Sequence, residues 1–137
     1  MQEYLNELSP KLLFIRKETT GDKIRIFCES ESDKLRKVHS RVIRVVKDIN
    51  YGKYKVELHI LWKKYFNDDP TSSKITVTEE LDFVSHRGRR TKRLDEYICL
   101  AQKEMSAIGC ERMIRQCIAD VSDSTILRLV KKTTKNI

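Results

Sequence analysis

Two alternating stretches flanking a short turn constrain this chain more than any other feature. From Tyr54 to Tyr65 the residues alternate strictly, with Tyr54, Val56, Leu58, Ile60 and Trp62 on one side and Lys55, Glu57, His59, Leu61 and Lys63 on the other. Period-2 alternation over that length is the signature of a strand with one buried face. Val38 to Ile49 reads the same way, placing Val38, Ser40, Val42, Arg44 and Val46 on one face and His39, Arg41, Ile43, Val45 and Lys47 on the other. Asn50-Tyr51-Gly52 lies between them, and Gly52 can take the positive φ that a tight hairpin needs. The pair predicts a long β-hairpin buried on one side.

Shorter signals surround it. Gln2 to Leu8 suits one or two helical turns, closed by Ser9-Pro10. Leu12–Arg16 and Lys23–Cys28 are β-like and joined by Thr19-Thr20-Gly21-Asp22, so a second hairpin is expected. Glu29 to Lys37 reads as a charged loop, Asn67 to Ser73 as another, Lys74–Val77 as a last short strand and Leu81–Gly88 as a linker.

From Thr91 the period becomes helical. Leu94, Ile98, Ala101 and Met105 make one stripe behind a Thr91 cap. Cys110, Met113, Ile114, Cys117 and Ile118 make a second, with Ser106 as its cap, and Ile126, Leu127 and Val130 a third behind Ser122. Ala119-Asp120-Val121 is the tight connection between the last two. Asp123 in the first turn and Lys131 and Lys132 in the last suit the helix dipole.

Charge separates the two regions. Residues 86–137 hold 12 of the 28 Lys and Arg and 6 of the 20 Asp and Glu, so most of the net +8 sits on the helical part. Three short helices joined by tight turns suit a helix-turn-helix, in which the start of the third helix enters the major groove of DNA. Ser122, Asp123, Ser124, Thr125 and Arg128 would then reach bases or phosphates, Arg128 being suited to bidentate contact with guanine. Lys131 and Lys132 would neutralise phosphates, and Arg87, Arg89, Arg90, Lys92 and Arg93 would form a basic arm in front.

Other chemistries find little support. His39, His59 and His86 are far apart and read as surface or packing residues, Asp68-Asp69 beside Pro70 reads as a turn, and no Gly-rich phosphate loop occurs. Cys28, Cys99, Cys110 and Cys117 form no Cys-x-x-Cys pair, which is the usage of a reducing compartment. No apolar run approaches the roughly 18 residues of a membrane span. No catalytic residue, metal, cofactor or small-molecule ligand is expected.

The segments KVHSR, DINYGKYKVEL, NDDP, TVTEELDF, RRTKRL and VSDSTILRLVKK occur in that order. Together they resemble the front end of insertion-sequence transposases of the L-three family, over about Cys28 to Lys132. The resemblance implies a zinc ribbon followed by a helix-turn-helix that recognises transposon ends, with a DDE-type catalytic domain behind. The family's first Cys pair is replaced by ESESDKLRK with Cys28 upstream, and Asn67 and Ser72 stand where the second pair would be. A ribbon without metal is therefore expected, and no strand transfer from a chain ending at Ile137.

The expected fold is α+β: a small antiparallel, degenerate zinc-ribbon-like β module with a short N-terminal helix over residues 1–84, then a three-helix helix-turn-helix with its basic arm over 85–137. The expected function is non-catalytic binding of double-stranded DNA, as a regulator or a transposase-derived domain, in the cytoplasm with the bacterial nucleoid. The alternative is an interaction module that pairs with itself or with a full-length transposase.

Overall fold

The computed structural model describes residues 1–32, 35–85, 89–105, 107–120, 125–126 and 128–129. Along the chain these form α1 (Gln2–Leu8), β1 (Leu12–Thr20), β2 (Lys23–Ser30), β3 (Val38–Tyr51), β4 (Tyr54–Phe66), β5 (Thr76–Thr78), α2 (Lys92–Glu104) and α3 (Ala107–Cys117). Thr125, Ile126, Arg128 and Leu129 are also helical. Among the described residues no helix is long and apolar enough to cross a membrane.

The architecture is α+β, with a five-stranded sheet in the order β1-β2-β4-β3 and β5 added to β4. Both turns read from the sequence close antiparallel hairpins, with Gly21 at φ 58° and Gly52 at φ 57°. The sheet is nevertheless mixed, which corrects the expected antiparallel module. β2 and β4 run parallel, from Lys23 beside Lys55 to Glu29 beside Leu61. Each strand buries every second residue, Ile24, Ile26 and Cys28 on β2 and Val56, Leu58 and Ile60 on β4. Parallel pairing aligns these two rows, and side-chain alternation carries no information about strand direction. Beyond the end of β2, β5 takes over the same edge of β4, pairing Lys64 with Thr78 and Phe66 with Thr76.

One face of the sheet is covered by α1 and the segment around Phe83 and Val84. Tyr4, Leu5, Leu12, Ile24, Ile26, Cys28, Val46, Val56, Leu58, Ile60 and Trp62 pack there with Phe83 and Val84. The second cluster is helical and consists of Leu94, Ile98, Cys110, Ile114, Ile118, Ala119 and Ile126, with Ile49 of β3 packed against it. Of the stripes expected on the first two helices, Leu94, Ile98, Cys110, Ile114 and Ile118 are buried, and Ala101, Met105 and Met113 pack half-buried against them. Ser106, Ser122, Leu127, Val130 and the Cys117 side chain lie outside the described residues. Cys28 and Cys110 are buried free thiols.

Two side chains depart from the simple alternation. Lys63, expected on the polar side, is 1% exposed. Its ammonium donates to the Ser30 carbonyl, and Ser30 Oγ donates in turn to the Glu79 carboxylate at 2.8 Å. The Lys63 amide donates to Glu79 Oε1 at 2.9 Å, so the network closes where β2 gives way to β5. Burying a lysine is tolerated only with such partners. Val42, on the same side of β3 as the buried Val46, is 43% exposed. β3 is an edge strand, and Arg41 to Val45 are exposed on both faces although their β4 partners Ile60, Trp62 and Lys63 are buried.

Candidate nucleic-acid interface

The helical region is fastened to the sheet through the end of β3. Lys47 donates its amide to the Arg89 carbonyl and accepts from the Thr91 amide, both at 2.9 Å. Phe83 to Ser85 lie antiparallel to Arg90 to Lys92, with Ser85 N donating to Arg90 O at 2.9 Å and Lys92 N to Phe83 O at 2.9 Å. Thr91 then starts α2 as its N-cap, its hydroxyl accepting from Leu94 N at 3.3 Å. Satisfying one of the free amides of a first turn in this way is what a Thr cap supplies.

Asp48, fully buried, is the centre of this junction. Its Oδ1 accepts from Thr91 Oγ1 at 2.6 Å and from Arg93 Nε at 2.9 Å. Its Oδ2 accepts from Arg93 Nη2 and from the Tyr4 hydroxyl. One carboxylate therefore ties α1, β3 and α2 together. Burial raises the Tyr4 hydroxyl far above the ordinary tyrosine range, with Asp48 adding to it. Burial works against the Arg93 charge, but the hydrogen bonds and charge of Asp48 outweigh it and hold the guanidinium more firmly protonated. Arg93 also lies over the Tyr4 ring, 5.0 Å from its centroid, and 3.6 Å from Glu7.

Asp120 makes a second fastening beyond α3. Its carboxylate meets Lys23 at 3.1 Å and Lys55 at 3.2 Å, and its carbonyl accepts from Lys47 Nζ at 2.6 Å. Burial tends to raise the Asp120 carboxyl, but the Lys23 and Lys55 hydrogen bonds prevail and hold it below the usual aspartate range. A depressed carboxyl stabilises the fold above its unfolded value and loses that effect as pH falls through its folded value. Asp120→Asn is therefore expected to destabilise at about pH 6 and to have a smaller effect near about pH 3, since the effect begins to fall below the ordinary Asp value of about 3.9. Urea titrations of both proteins at the two pH values check this; a difference that grows on acidification contradicts it.

These fastenings sort the basic arm. Arg93 is held by Asp48, and Arg90 Nε donates to Asp95 Oδ1 at 2.7 Å. Arg89 and Lys92 are exposed. Among the described residues after α3, Ile126 is fully buried in the helical cluster, Thr125 is half-buried and Arg128 is exposed. Arg87, Ser122, Asp123, Ser124, Lys131 and Lys132 lie outside the described residues. Asp48, Tyr4 and Asp120, which make the junction, carry no sequence signal of their own: each looks like one more polar residue in a strand, helix or turn. Asp69 is a turn residue as read, its carboxylate accepting from the Thr71 amide at 2.9 Å and the Thr71 hydroxyl at 2.7 Å. Among the described residues no three His, Cys, Asp or Glu side chains converge as metal ligands would.

What the arrangement offers chemically is exposed cations, Arg89, Lys92 and Arg128, while Asp48, Asp95 and Asp120 are engaged by other cations. Comparison with protein-family models, with curated proteins and with solved structures returns no match for this chain.

Proposed function

We propose that the chain is a non-catalytic, double-stranded DNA-binding protein whose residues 85–137 act as a helix-turn-helix with a basic arm, of the kind that stands in front of insertion-sequence transposases. The observation that carries this reading is the placement of Ile126 and Arg128. Ile126 is sunk in the helical cluster while Arg128, two residues on, is exposed. A third helix seated on α2 and α3 with an arginine turned outward is what reading a major groove requires. The excess of cations on residues 86–137, 12 Lys and Arg against 6 Asp and Glu, supplies the attraction to phosphate.

The test separates reading from attraction. Bound duplexes are selected from a random pool and sequenced, for the protein and for two variants. Arg128→Ala is expected to weaken the selected site by about 1–3 kcal/mol and to relax preference at one position. Lys92→Ala is expected to weaken all sequences alike, without changing the motif. Identical behaviour of the two variants rejects the proposed docking of the third helix, and the absence of any enriched motif rejects sequence-specific recognition.

A further inference from the structure

The sheet carries a basic element of its own that the whole-chain charge conceals. From Leu35 to Lys47 the sequence is LRKVHSRVIRVVK, with five Lys and Arg and no Asp or Glu. Arg36 and Lys37 lead into β3, and Arg41 and Arg44 lie on its exposed half. Among the described residues none of these four meets a carboxylate within ion-pair distance, whereas Arg16, Lys23, Arg25, Lys55, Arg90 and Arg93 all do. Three of the four lie over aromatic rings instead: Arg44 over Trp62 at 4.7 Å, Arg36 over Tyr65 at 4.7 Å and Lys37 over Phe66 at 5.4 Å. Such rings hold a cation in place without neutralising it.

The backbone places this element in line with the basic arm. Lys47 directs its amide and carbonyl away from β4, toward Arg89 and Thr91. The register is unbroken from Ser40 to Asp48, so Arg41, Ile43 and Val45 direct theirs to the same open side. β3 therefore presents a free edge of amides and cations that ends where Arg89 begins. Six residues separate Arg41 from Lys47, roughly 20 Å of strand. That length covers about six base pairs at 3.4 Å each. Lys92 of the arm also lines one open groove with Arg36 and Arg44. Glu31, Glu79, Glu80 and Asp82 line the same groove, so the groove itself is not the surface suited to a polyanion.

We propose that the free edge of β3, through Arg41 and Arg44 with Arg36 and Lys37 behind them, is a second contact for a nucleic-acid phosphate backbone, continuous with Arg89 and Lys92. This rests on the DNA-binding reading above and names the part the sheet plays in it. An exposed edge strand bearing Ile43 and Val45 could instead accept a second copy of the chain. That pairing would lay side by side two copies of the Val38–Lys47 stretch, which holds no Asp or Glu, and like charges across neighbouring strands oppose it.

The test is a salt titration of duplex binding by fluorescence anisotropy, with sedimentation run in parallel. Each phosphate contact contributes about 0.9 to the slope of log affinity against log salt, or roughly eightfold in affinity at 0.1 M salt. Arg41→Gln with Arg44→Gln is expected to lower the slope by about 2, and Arg41→Lys with Arg44→Lys to leave it intact. Arg41→Gln alone, which disturbs no aromatic contact, is expected to lose about half as much. A wild-type slope and affinity in the glutamine variants overturns the β3 contact while leaving the helix-turn-helix reading standing. Failure of the unaltered protein to bind duplex removes that reading instead. A wild-type dimer that the glutamine variants convert to monomer assigns the edge to a second copy and overturns the proposal.

Discussion

Replacing Asp48 by alanine is expected to destabilise the protein by about 3–5 kcal/mol, the range for removing one partner of a buried ion pair. The magnitude follows from what is left behind. The Arg93 side chain, 25% exposed, keeps its charge and loses both of its hydrogen bonds to the carboxylate. Tyr4 and Thr91 lose an acceptor in the same change. Asp48→Asn retains one acceptor oxygen and is expected to cost less than Asp48→Ala. Arg93→Ala, which leaves the carboxylate buried without its counter-charge, should approach the alanine value. Urea titrations followed by circular dichroism decide the point, and a loss below about 1 kcal/mol for Asp48→Ala would show that the junction does not depend on the pair.

Ile126→Ala is expected to cost about 2–5 kcal/mol, as for other truncations of fully buried branched side chains. Ile126 packs with Leu94, Ile98, Cys110, Ile114 and Ile118. Its loss should release the last helical segment before it affects the sheet. Trp62, the single tryptophan, is buried in the sheet cluster with its indole N–H on the Glu79 carbonyl at 2.7 Å. Its fluorescence should therefore remain native in the variant under conditions where far-ultraviolet dichroism shows lost helix. DNA affinity should fall with the helix. Loss of both signals together would mean that the two clusters unfold as one unit.

The parts of the fold legible in the sequence are those with local causes. The Gly52 hairpin, the Thr91 cap and the Leu94 and Ile98 stripe depend on residues a few positions apart, and backbone dihedrals and side-chain periods act over that range. The parallel pairing of β2 and β4 was hidden because two buried rows can be matched in either direction. The burial of Lys63 was hidden because its partners, Ser30 and Glu79, are 33 and 16 residues away. The basic arm was legible as a run of charge. Its division into paired Arg90 and Arg93 and exposed Arg89 and Lys92 was not, since it is set by Asp95 in the next turn and by Asp48 on a distant strand. The cationic edge of β3 is concealed for a related reason: acidic residues elsewhere in the first 85 residues offset much of it, leaving 16 Lys and Arg against 14 Asp and Glu.

The most direct measurement is the affinity of the purified chain for a random-sequence duplex between about 50 and 200 mM salt. Affinity that falls steeply across that interval, by about 10³-fold or more for six or more phosphate contacts, is the expected result. Affinity that is absent at the lower salt, or insensitive to salt across the interval, would contradict DNA binding and leave the cations of both regions as solvated surface.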